Sequence, residues 1–184
     1  MASHFLILMF LLASVASDSG RGRAGPDERL IEAIGKWDQT LIEAALKEGA
    51  DPNQRLPGDL TPIMLAVARA DLRVLHACIQ AGANLDLVDM SGYTALMFAV
   101  GMRNTEIIEA LLNAGADLSV INPRSGSTAL DQALDATRSR SILSWPGKRD
   151  DGSVSRDWIL IGPRTRRSDR IVQLLTRYRS RQVR

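Results

Sequence analysis

Two short marks recur along this chain at a near-constant interval, and they constrain the fold more than any other feature. Gly49-Ala50-Asp51, Gly82-Ala83-Asn84 and Gly115-Ala116-Asp117 are spaced by 33 and 33 residues; Thr61-Pro62-Ile63, Thr94-Ala95-Leu96 and Thr128-Ala129-Leu130 are spaced by 33 and 34. Repetition at such a period means stacked supersecondary units, each burying its apolar face against its neighbours. Between the marks Leu41, Ile42, Ala45 and Leu46 match Val74, Leu75, Cys78 and Ile79, and both sets match Ile107, Ile108, Leu111 and Leu112. Spacing of i, i+1, i+4, i+5 lays one apolar stripe along a helix. Each unit therefore reads as a helix pair. The threonine N-caps the first helix with its hydroxyl. Pro62 sits at the first helical position, where a missing N–H costs nothing. The glycine closes the second helix in the left-handed conformation.

On these residues the chain resembles the ankyrin-repeat family. Thr61-Pro-Ile-Met-Leu-Ala66, Ser91-Gly-Tyr-Thr-Ala-Leu-Met-Phe-Ala99 and the Gly-Ala-Asp marks are that family's pattern, over about residues 27–138 with a displaced last helix near 168–178. The resemblance implies an all-α solenoid of about four helix pairs, with repeats at about 27–57, 58–90, 91–123 and 124–180. The family's histidine is replaced here by Met64, Met97 and Asp131. That substitution removes a Thr–His hydrogen-bond network and predicts reduced stability.

Both ends of the stack depart from the pattern. The first unit lacks the Thr-Pro mark; residues 29–34 and 39–48 read as its helices, with Glu28, Glu32 and Lys36 facing water as a cap. In the last unit residues 128–137 form the first helix, but the second, residues 169–176, comes about 30 residues late. The intervening insertion, about 139–167, holds two β-branched runs around Pro146-Gly147 and Asp151-Gly152, which predicts a β-hairpin with a loose tip. It carries Trp145 and Trp158. Three readings stay open: a lid over the end of the stack, a partner-binding appendage anchored by those tryptophans, or a segment without fixed structure.

Residues 5–16 are apolar apart from one serine. The run is too short to span a bilayer and has the length of a secretory h-region. Ser14 and Ala16 place small residues before a cleavage point after Ala16, although no lysine or arginine precedes the run. These features predict a signal peptide over residues 1–16, a mobile leader over 17–26, and a periplasmic or secreted protein. Residues 27–119 carry 14 acidic and 7 basic side chains, whereas residues 120–184 carry 14 basic and 6 acidic. Eight arginines (164, 166, 167, 170, 177, 179, 181 and 184) crowd the end of the chain, including the tail at 181–184. They read as a solvated face, with an acidic protein or an anionic membrane surface as alternative partners. Nucleic acid is disfavoured, because no aromatic residues interleave for base stacking.

The inventory for chemistry is thin. One cysteine and two histidines exclude an internal disulfide and leave little for metal or triad chemistry. Cys78 falls on the buried stripe, and His76 falls where Glu43 and Glu109 sit, on an exposed face. Asp51, Asp86 and Asp117 recur near turns, where they cap backbone N–H groups. No cofactor and no small-molecule substrate are expected. The ankyrin resemblance implies a non-enzymatic, monomeric module that binds another protein through its concave face and loop tips. The family's contact positions fall on Leu60, Arg69, Met90, Ser91, Tyr93, Met102, Arg124 and Ser127, with Met90, Tyr93 and Met102 as an adaptable apolar centre. Two narrower roles are an immunity protein that neutralises a periplasmic effector enzyme, and a stress-protective accessory of the envelope.

Overall fold

A computed structural model describes the backbone of residues 25–138 and 166–182, and side chains of residues 25–135 and 169–180. The described residues form eight helices in four pairs: α1 (Pro26–Lys36) with α2 (Gln39–Lys47), α3 (Pro62–Ala68) with α4 (Leu72–Gln80), α5 (Ala95–Met102) with α6 (Thr105–Asn113), and α7 (Ala129–Arg138) with α8 (Arg166–Gln182). First helices stack on first helices, α3 on α5 on α7; second helices pack α2 on α4 and α6 on α8. One continuous core runs from Leu30 to Leu175. The fold is an all-α solenoid. The segment read as a β-hairpin, with Trp145 and Trp158, lies outside the described residues, as do the signal and residues 17–24 of the leader; the last two leader residues are corrected, since Gly25 is the N-cap of α1 and Pro26 its first residue.

Local chemistry explains where the first six helices stop. After the second helices Gly49, Gly82 and Gly115 take φ between +84° and +95°. Each then allows a paired closure: Gly49 N–H donates to Leu46 and Ala50 N–H to Ala45, with the same bonds repeated at Gly82–Ala83 and Gly115–Ala116. The first helices close identically but without glycine. Trp37, Ala70 and Arg103 hold φ of 52°, 55° and 57°, and the following amides return to Ala33, Ala66 and Ala99. An L-residue there is strained.

The threonine caps differ from one another. Thr94 accepts from Met97 N–H at 3.2 Å. Thr128 accepts from Asp131 N–H at 3.2 Å, while the Asp131 carboxylate accepts from Thr128 N–H and hydroxyl at 2.9 and 2.7 Å; these bonds hold its carboxyl below the ordinary value. Thr61 departs from expectation. It occupies the N-cap but makes no side-chain cap bond, and its buried hydroxyl has no partner. Met64 and Met97 are fully buried, so apolar burial occupies the sites of the family's hydrogen-bonding histidines.

Leu41 also departs from its stripe. It is 50% exposed, whereas Val74 and Ile107 at the equivalent positions are fully buried. Among the described residues no second helix precedes the first pair, so Leu41 has no such neighbour to pack against. At the other end Ile171 and Leu175 are buried, and Tyr178 donates to Asn113 of α6, which seats α8 as the second helix of the last pair.

Candidate protein-binding surface

The link between successive pairs is a row of tight hairpins. Leu56 N–H bonds Leu60 O, Asp89 N–H bonds Tyr93 O, and Asn122 N–H bonds Ser127 O. The third hairpin is one residue longer than the second, which accounts for the 34-residue step between Thr94 and Thr128. Among the described residues the only β-pairing is the Leu56–Leu60 bridge. Side chains shape each tip from inside. Asp89 Oδ1 accepts from Ser91 and Tyr93 N–H at 2.9 and 2.7 Å, and Asn122 Oδ1 accepts from Arg124 and Ser125 N–H at 2.8 and 3.2 Å.

Bonds between hairpins fix them in a row. Arg55 Nη1 donates to Asp59 O and, one repeat on, to Val88 O at 2.8 and 2.7 Å. Met90 N–H donates to Gly58 O at 3.1 Å, and Asn122 Nδ2 to Ser91 O at 3.2 Å. A Cβ on Gly92 would lie 2.6 Å from Asn122 Oδ1 and 2.7 Å from Pro123 Cδ, at φ +81°. Only glycine permits that approach. Behind the hairpins a second ladder joins the repeat turns. Asp27, Asn53 and Asp86 side chains accept from the N–H of Asp51, Asn84 and Asp117 at 2.7, 2.7 and 2.9 Å. The turn aspartates serve backbone, as expected from their place at the turns, and the Ser119 amide and hydroxyl hold the Asp117 carboxyl low.

The structure places the contact residues expected from the family differently from one another. Met90 and Met102 are 59% and 47% exposed. Arg124 is exposed; Ser127 is half-buried on the same hairpin and Ser91 half-buried on the hairpin before it. Leu60 is corrected: it is only 8% exposed and belongs to the core, because the bridge to Leu56 turns both leucines inward. Tyr93 is half-buried, packs against the core and tilts over Phe98 at 5.7 Å between ring centroids, so it also supports the fold. The Arg69 guanidinium lies 4.3 Å over the Trp37 ring, and burial holds its pKa below the ordinary value. Trp145 and Trp158 lie outside the described residues.

The pattern of the sequence did not single out two features. Ile121 is 59% exposed at a hairpin, a position found by stepping 33 residues from Val88. The second is a polar knot between the first two pairs. Asp71, 9% exposed, accepts at Oδ1 from Arg73 and Val74 N–H at 3.1 and 3.2 Å, capping α4. Its Oδ2 accepts from Trp37 Nε1 at 3.2 Å and Gln39 Nε2 at 2.5 Å. Cys78 is fully buried, and burial pushes its thiol pKa up to about 12. Such a thiol is inert. His76 is exposed.

The family model described as ankyrin repeats (3 copies) matches residues 30–122 and 67–143, which together cover more than half of the chain. The chain belongs to the ankyrin-repeat family, a class that serves as protein–protein interaction modules. No curated protein matches it.

Proposed function

We propose that this ankyrin module is an exported, non-enzymatic protein that binds another protein through its hairpin tips and the adjoining ends of its first helices. The observation that carries the reading is the exposure of Met90, Ile121 and Met102 on the two central repeats. Large apolar side chains exposed on hydrogen-bonded loops and at a helix end have little to do for folding, and they are the material of interface anchors. Methionine adapts its shape to a partner. Export rests on the apolar run at residues 5–16 and on Ser14 and Ala16 before the expected cleavage point.

The test is capture from an envelope extract by tagged Ser17–Arg184, compared with Met90→Asp and Met102→Lys. Both variants should keep the melting temperature and lose the captured protein. Equal capture by both variants would remove the tips from the interface. The export reading predicts an N-terminus at Ser17 in the envelope fraction; intact Met1 in the cytosol would overturn it.

A further inference from the structure

The chemistry of the partner is legible in how charge is divided over the repeats. The repeat body at residues 27–119 is acidic, 14 against 7, and alone it would suggest a basic partner. Asp59 and Asp89 are the two acids of the three hairpins; most of the acidic side chains are not on the tips. They lie on α1, on the second helices (Glu43, Glu106 and Glu109), and on the turns that follow (Asp51, Asp86 and Asp117). At the tips Asp89 is turned inward onto two backbone N–H groups. The exposed tip residues are instead Arg55 and Arg124 with Pro57, Met90, Ile121 and Pro123 between them, the small Ser125 and Gly126 after Arg124, and Asp59 as the one exposed acid among the three hairpins.

Repeat equivalence orders these residues. Pro57, Met90 and Pro123 occupy one position of three successive hairpins, and all three are exposed. Arg55, Val88 and Ile121 occupy another, with the Arg55 guanidinium laid against Val88 O. The result is an apolar strip flanked by a guanidinium at each end. A guanidinium at the rim of an apolar strip selects carboxylates and repels cations.

We infer that the tip surface takes an acidic segment of a partner protein, one that sets large apolar side chains on the Met90–Ile121 strip and presents carboxylates to Arg55 and Arg124. This rests on the protein-binding reading above and adds the sign and composition of the occupant. The electrostatic part of the recognition weakens with salt, as expected for exposed pairs, and the apolar part does not.

The test is selection of a random phage-displayed 12-residue peptide library on the mature chain, followed by fluorescence anisotropy of the enriched peptides. Enriched peptides should combine Asp or Glu with Leu, Ile, Phe or Trp. Their affinity should fall at least tenfold with Arg124→Glu, recover with Arg124→Lys, and fall at least tenfold with Met90→Asp. Arg124 and Met90 are exposed, so circular dichroism should show these variants folded. Enrichment of net-positive peptides, no enrichment, or affinity indifferent to Arg124→Glu would overturn the inference. Loss of captured envelope protein with Met90→Asp would stand regardless of the peptides' charge, so the two readings fail separately.

Discussion

Asp71→Ala should be among the most costly single substitutions of a polar residue in this fold, and its cost can be built from its four bonds. Its Oδ1 caps α4 through two backbone N–H groups, and loss of such a cap costs about 1 kcal/mol. Its Oδ2 receives the Trp37 indole and the Gln39 amide of the preceding pair. Bonds to a charged acceptor contribute roughly 1.5–3 kcal/mol each; because Trp37 and Gln39 are half-buried, water replaces part of this, leaving about 1 kcal/mol apiece. The sum is about 3 kcal/mol, which for a domain of this size lowers Tm by roughly 6–12 °C. Asn104→Ala is the internal control. Asn104 caps α6 through Ile107 N–H, without an indole or amide from a neighbouring pair, and should cost about 1 kcal/mol. Urea unfolding followed by circular dichroism measures both. If the two variants lose the same stability, the knot between the first two pairs contributes nothing and the bond-by-bond reasoning fails.

Three further predictions follow from the backbone and the core. Ala70→Gly relieves a left-handed residue at an exposed helix end; the relief of roughly 1–2 kcal/mol exceeds the added chain entropy of about 0.5–1 kcal/mol, so urea titration should show a gain of about 0.5–1 kcal/mol. Gly92→Ala forces a Cβ into Asn122 and Pro123 at positive φ, and should cost about 2 kcal/mol, read as a lower melting temperature. Cys78 gives a pH dependence: its thiol pKa rises from 9.0 unfolded to about 12 folded. A raised folded pKa means that its contribution is fully present below pH 9 and is lost between 9 and 12, by an amount on the order of 4 kcal/mol. Cys78→Ala should lack that alkaline loss in melts at pH 8, 9.5 and 11, and the native thiol should label only through unfolding.

The marks at 33 residues made the helix pairs legible because each has a local cause: glycine closes a helix, threonine or proline opens one, and the apolar stripe faces the neighbour. Cys78 was legible for the same reason. What the sequence concealed depended on neighbours in space. Leu60 looks like a tip residue until its bridge to Leu56 turns it inward. Leu41 looks buried, but among the described residues no pair precedes it and it is left half exposed. Tyr93 reads as surface, but its ring packs on Phe98. The left-handed residues Trp37, Ala70 and Arg103 carry no glycine to announce them. The Asp71 knot joins residues 32 and 34 apart, and only the recurrence of Asp38, Asp71 and Asn104 before the second helices hints at it. On the candidate surface the methionines were visible from the family pattern; Ile121 and the inward-turned Asp89 needed the hairpin geometry.

The claim that the hairpin tips are the binding surface is tested most directly by a photo-crosslinking amino acid placed singly at Met90, Ile121 and His76. All three side chains are exposed, and His76 lies on α4, away from the tips. Irradiation of the protein in the envelope fraction should yield a covalent partner adduct from positions 90 and 121, and none from 76. An adduct from position 76 with none from 90 or 121 would place recognition on the second helices and contradict the assignment.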